Sequence, residues 1–540
     1  EHLTIPAGSS DAAYLSKIIE VEEGDILQPD AATRVYHLTK KDDIDVEPTT
    51  VKEVTISETT TNLSPTEIVN ATSSSVEVPA TVTTFGDFEA KSNNIDEALK
   101  ELGALYAKAP VDLILTIDFQ KEQSLNFTRV QANKLKIVFP DYIVFKAEEG
   151  IQGHELILDG QVLSENGSSY SRTLKVEGYK FSENAGAGKK PNGGTLTIEG
   201  VISMEGEVVT SGVSGTGILS LVPKTVLREM TANSVTGVIQ PEIKAETTNI
   251  ELNDLPDFLK DEETRMDITN PVILLRANNP LETPVEVDAV LTPMKDNAQI
   301  DGKEVKVGSG NGKTPVVLAS GENVIALSRT GESSIEEATN VKVEDINNLL
   351  ETIPDDIEVD LQPVVRNEGY YTAELGRAYE MPSSYEVDVP LSFEQNLNIV
   401  YNDSVQDLNK DLNDLDKVIL KKANVLLTVD NAIPLKLQLK PENVLIKDVY
   451  GNELTAVKKT IEEDKQYVTE STDGEKPVTS ELVLNLTSED TAFLSKIDRI
   501  CFKLTAVPGS ATGVPLKDTQ WLKVTSIKLS VPGGVNVDLN

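Results

Sequence analysis

"NPVILLRANNPLETPVEVDAVL", residues 270–291, reads as a strand, an Asn-bearing turn, a proline and a second strand. The same order returns at residues 423–439, "ANVLLTVDNAIPLKLQL", where Leu426, Leu427 and Asn431 stand for Leu274, Leu275 and Asn279. After a two-residue gap Pro434 matches Pro284. Short runs of branched aliphatics bounded by Asn and Pro are strand signals, and self-similarity along a chain marks repeated structural units. The repeat predicts two related tandem β-sandwiches, with boundaries near residues 250 and 400.

Working outward, alternating apolar runs recur from Val111 onward, among them "VDLILTIDF", "KLKIVF", "SRTLKVEGYKF" and "GTLTIEGVISMEG". Turn-forming stretches such as "SENGSS" and "GAGKKPNGG" separate them, as in antiparallel sheet with one solvated face. Residues 1–90 are rich in Thr, Ser, Glu and Asp and carry alternating Val and Ile without a helical period. They read as an extended, linker-like region that is either separate or lends strands to the next domain. The expected order is this region, a β-rich domain over 91–250, a β-sandwich with short helices over 251–400 and a related β-sandwich over 401–540. The fold class is mostly β, with tandem immunoglobulin-like sandwiches.

Five stretches interrupt the strands with Leu or Ile at three-and-four spacing: "NNIDEALKELGALYA", "LNDLPDFLKDE", "VEDINNLLETI", "VQDLNKDLNDL" and "SEDTAFLSKI". Each has an acidic or amide residue near its start and a strand soon after, so each predicts a short helix on a connection.

Composition narrows the function classes. A chain of 540 residues exceeds one compact core, and 39% hydrophobic with 25% charged residues is a globular balance. The formal charge of -39 repels phosphate backbones and anionic headgroups, which argues against nucleic acid as a partner. Its plainest role is solubility. Cys501 is the sole cysteine, so no internal disulfide or multi-cysteine metal site exists; in "RICFKL" it reads as a strand residue. The three histidines, His2, His37 and His154, make a histidine-rich metal site or a Ser/His/Asp triad a poor expectation. No apolar run reaches the ~18–20 residues of a membrane-spanning helix. The abrupt start "EHLTIPAG" reads as a mature end, with any export signal or lipid-bearing cysteine upstream.

Several motifs invite chemistry and are weighed against plainer readings. "KVGSGNGKTPVVL", residues 306–318, has three residues between Gly308 and Gly312 where a phosphate loop needs four, and a proline-led strand follows where a helix is required. A glycine-rich hairpin fits better. Asp407, Asn409 and Asp411 match the first oxygen positions of a calcium loop, but Leu412 replaces its glycine and Val418 its final glutamate. Leu408, Leu412 and Leu415 instead form a helical stripe with the aspartates facing water. Tyr370, Tyr371, Tyr379, Tyr385 and Tyr401 crowd into 32 residues, five of the 13 tyrosines. Such rings either pack on strands or grip a ligand, and Tyr370, Tyr371 and Tyr379 are the candidate ligand-binding residues. Trp521, the lone tryptophan, opens an alternating strand and reads as core or rim. "DSV" at 403–405 and "DTA" at 490–492 match a short O-glycan acceptor pattern, and equally a helix cap. No catalytic residue, metal ligand or cofactor is assigned.

"DITNPVILLRANNPLETPVEVDAVL", "NVIALSRTG", the stretch from "VPLSFEQNLNIVY" to "PLKLQL" and "WLKVTSIKLSVPGGVNVDLN" resemble the tandem-β surface lipoproteins of gut Bacteroidetes, often labelled cell-adhesion proteins. The resemblance covers roughly the last 290 residues well and the first 250 loosely. It implies export to the cell surface, outer-membrane attachment only through a lipid on an upstream cysteine, and no established enzymatic activity. The leading expectation is therefore a non-enzymatic exported protein that displays stacked β domains for adhesion or macromolecular binding, with an unknown protein or glycan ligand. The alternatives are a glycan-binding component of a polysaccharide-capture system and, third, a glycoside hydrolase.

Overall fold

The computed structural model describes residues 3–8, 11–417 and 419–531. His2, Val418 and the carboxyl-terminal end of the "WLKVTSIKLSVPGGVNVDLN" stretch lie outside the described residues. Val272–Asn279 runs centrally between Gly321–Ser328 and Ser383–Pro390, and the chain then crosses to a facing sheet as Val285–Lys295 beside Asp356–Val364. The second copy repeats this: Lys422–Asn431 lies between Val478–Thr487 and Trp521–Val531, and Lys436–Lys447 runs beside Arg499–Val507.

The two asparagines fix the crossing in the same way. The Asn279 side-chain amide donates to the carbonyls of Thr283 at 2.8 Å and Leu318 at 3.2 Å, while its oxygen accepts from the Leu281 amide at 3.0 Å. Asn431 donates to Leu435 and Thr469, both at 3.0 Å, and accepts from Ile433 at 2.9 Å. Both side chains are buried. Only a side chain carrying donor and acceptor together can satisfy three backbone groups where the strand leaves its sheet.

The molecule is mostly β, built from three sandwiches of mostly antiparallel sheets, with one parallel pair, Gly321–Ser328 beside Thr339–Lys342, in the second. In the first, a nine-stranded sheet around Leu99–Lys121 faces a seven-stranded sheet around Leu196–Gly215, and Leu113, Leu115, Ile137, Ile198 and Met204 are among the buried residues between them. The second and third are the repeated units, each with an apolar core between two sheets. The second core continues into the third unit through Ile433, Leu435, Ala506 and Leu516, so these two sandwiches share apolar contact.

Strands from the amino-terminal region are distributed over all three. Leu3–Gly8 lies along Trp521–Val531 in the third sandwich, Tyr36–Ile44 along Ser383–Pro390 in the second, and Ser75–Ser92 along Leu196–Gly215 in the first. In the repeated units Leu3–Gly8 and Tyr36–Ile44 occupy matching positions, next to matching strands.

Four of the five helical patterns become single turns: Asp257–Lys260, Ile346–Leu349, the pair Asn409–Leu412 and Asn413–Lys417, and Phe493–Lys496. They sit on corresponding connections of the two repeats. The fifth expectation, a helix over "NNIDEALKELGALYA", is corrected: from Leu99 the chain is strand, Leu99–Lys121. Register shifts between Leu99 and Glu101 and between Leu102 and Ala104, against Met230–Ile239, add residues to the ladder. Bulged strands bring apolar residues inward at three-residue intervals, which imitates a helical stripe.

Candidate functional site

The glycine-rich stretch is a filled turn. Val305–Val307 and Val317–Leu318 both pair with Val285–Lys295, one after the other along the same strand, so the glycines bridge two pieces of one edge and do not close the expected hairpin. Gly308 and Gly312 have φ values of 96° and 71°, which glycine adopts without strain. The Gly310 amide donates to Asp288 at 3.0 Å, the Ser309 hydroxyl donates to Glu286 at 2.6 Å, and the Arg366 guanidinium bonds both carboxylates. A phosphate would meet two carboxylates already holding those donors. The Ser309 hydroxyl and the Arg366 guanidinium, bonded to the carboxylate, keep Glu286 below its usual titration range.

At the calcium-like stretch, Asp407, Asp411 and Asp414 face solvent, while Leu408, Leu412 and Leu415 pack on the third core. Among the described residues no group of three His, Cys, Asp or Glu side chains is placed to hold a metal ion.

The tyrosine window divides. Tyr385 is buried in the second core, and Tyr371 is buried with its hydroxyl donating to the Ile239 carbonyl at 2.9 Å. Tyr370 reaches into the first sandwich and donates to Glu101, a buried carboxylate that also accepts from the Gly186 and Gly188 amides, each at 2.8 Å. Burial opposes the Glu101 charge, but the Tyr370 hydroxyl and the two amides outweigh it, so its pKa lies below the usual value. Burial, followed by Glu101, pushes the Tyr370 phenol up to about 12. Tyr370 is thereby a clasp between two parts of the fold, a role the sequence did not suggest because Glu101 sat in a presumed helix.

Tyr371 and Tyr379 do come together, in an open groove of about 450 Å³ where the first sandwich meets the turn Pro280–Glu282 of the second. Arg377, Glu374, Asn233 and Ser234 share its walls. The Arg377 guanidinium lies 4.9 Å from the Tyr379 ring centroid, and the Tyr379 hydroxyl accepts from the Glu374 amide at 2.9 Å. One ring face is thus covered by a cation. What the groove offers is a charged, hydrogen-bonding rim with half an aromatic face, suited to recognition. Sequence reasoning missed Arg377. It also missed Tyr450, which is 86% exposed at a turn where the Asp448 carboxylate accepts from the Tyr450 and Asn452 amides, each at 2.9 Å. The "DVYGN" run carries the Asp and Gly of a tight turn, and that was the available signal.

No protein-family model matches the chain, and no curated protein matches it. Among solved structures, a "putative secreted protein" from Parabacteroides distasonis is 16% identical over 56% of this chain and 90% of its own, with a TM-score of 0.41. A triple jelly roll structure from the turret of an archaeal virus is 9% identical over 88% of this chain and 90% of its own, with a TM-score of 0.11. Scores this low carry no argument, and the three-sandwich description rests on the chain's own ladders and cores.

Proposed function

We propose that this is a non-enzymatic, exported surface protein of the tandem-β lipoprotein kind, which binds a macromolecule at the groove between its first two sandwiches. The reading rests chiefly on that groove: Glu374 ends the strand Tyr371–Glu374 paired with Met230–Ile239, Arg377 follows the next turn, and Tyr379 lies in the short ladder with Thr49–Thr50. Such an arrangement favours contacts with a partner surface over chemistry. With Arg377 over one face of Tyr379, a protein loop or strand edge fits the groove better than a sugar ring needing an open platform. Export and a lipid anchor follow from the sequence resemblance and belong to the same proposal.

Immobilised extracellular-matrix proteins and a glycan array, probed with the full chain, test the reading. Binding to a matrix protein that falls at least tenfold in the double variant Arg377→Glu, Tyr379→Ala, with unchanged circular dichroism, supports it. Glycan binding with the same sensitivity, or binding indifferent to the double variant, overturns it.

A further inference from the structure

The two repeated sandwiches invite comparison position by position, and their cores differ. Between the sheets of the third lies an apolar cavity of about 120 Å³; in the corresponding place in the second the space is about 40 Å³. Leu275 pairs with Tyr385, and its counterpart Leu427 pairs with Ile527, so a tyrosine ring fills the second core where a smaller isoleucine stands in the third. The facing sheet adds to the gap. In the third unit six residues of Lys436–Lys447, Leu439 to Val444, stand against three of Arg499–Val507, Leu504 to Phe502, and of the intervening "KPEN" only Pro441 is apolar. In the second unit the equivalent ladder runs without a shift.

Exposure tells the same story. Ile273, Leu275 and Tyr385 are buried, whereas their counterparts Val425, Leu427 and Ile527 are only half-buried, as are Ile500 and Phe502 across the gap. The inner faces are therefore incompletely packed. Protein interiors ordinarily close such spaces, and an apolar cavity near this size accepts small hydrocarbons and does not hold water.

We infer that the third sandwich is a binding site for the hydrocarbon end of a small amphiphile. Its chain enters between Leu427, Leu484, Phe502 and Ile527, under the turn carrying Leu408 and Leu412. The polar head stays outside the apolar lining, where the exposed Asp411 borders the site.

Isothermal titration of the full chain with 1-octanol and with octanoate tests this. Saturable heat is expected with both, and Ile527→Tyr, which installs the residue the second sandwich uses, should weaken both at least tenfold. Leu484→Phe fills the same space from the other side and should do likewise. The absence of saturable heat with either probe, or affinity unchanged in folded Ile527→Tyr and Leu484→Phe proteins, overturns the inference. It stands apart from the groove reading, since neither variant lies near Arg377.

Discussion

Asn279 and Asn431 hold the crossings between sheets, because each satisfies three backbone groups in a place water does not reach. Replacing either by Ala leaves two carbonyls and one amide unmet, a cost of about 2–4 kcal/mol for its own sandwich. Asp keeps the acceptor but loses both donations, so Asn279→Asp should recover little. Hydrogen exchange read by mass spectrometry will show the loss confined to residues 279–285 in the first variant and 431–436 in the second. Equal loss in both sandwiches would contradict independent crossings. These asparagines were legible in sequence as a repeat, although their bonding was not: a polar residue in an apolar run states that a partner exists and leaves its identity to the fold. Tyr370 shows the reverse case, since its partner Glu101 lies 269 residues away, beyond the reach of any local pattern.

At the scale of elements, the ladder between Tyr36–Ile44 and Ser383–Pro390 joins distant parts of the chain. Among its contacts is a His–Asp pair. His37 Nδ1 lies 2.7 Å from Asp388, and that hydrogen bond raises the imidazole above its usual pKa. A raised pKa means that the folded state binds the proton more tightly than the unfolded one. The contribution is complete below about pH 6.5 and fades as pH rises through the higher folded value. His37→Gln should therefore cost stability at pH 5.5 and little at pH 9. Solvent screening of this half-exposed pair limits the loss to about 1 kcal/mol or less. Urea unfolding at the two pH values checks this, and an equal loss at both would remove charge from the explanation. Strands were the elements most readable from sequence, because inward and outward side chains alternate whatever the partner. Short turns were readable as positions and overstated in length: Phe493–Lys496 and Ile346–Leu349 are single turns that close a connection, and their apolar residues belong to the sandwich cores. The bulged start of Leu99–Lys121 misled for a physical reason, since extra residues in a ladder break the period-two signal.

Across the whole molecule, the amino-terminal region acts as a supplier of edges. Leu3–Gly8 and Ala13–Tyr14 both pair with Trp521–Val531, covering backbone groups that would otherwise offer a template to another chain. Removing residues 1–14 should leave the first sandwich intact, raise exchange in the third and shift part of the protein to larger species on size-exclusion chromatography. A monomeric product with unchanged exchange would show that this edge needs no cover. The division into three sandwiches was only partly legible, because composition shifts along the chain mark where segments change, and strand exchange across hundreds of residues leaves no mark in composition.

The same distribution of strands sets a timetable for biosynthesis. Leu3 pairs with Val531, and a ribosome adding ~5–20 residues per second separates their emergence by roughly half a minute to two minutes. The third sandwich is therefore closed only after nearly the whole polypeptide has been made, and the second only once Ser383–Pro390 has emerged, while the first takes from beyond residue 239 the strand Tyr371–Glu374 and the Tyr370 clasp. Until then the sheets of the second and third sandwiches stand open at one side, so the last-made strands set when each core closes.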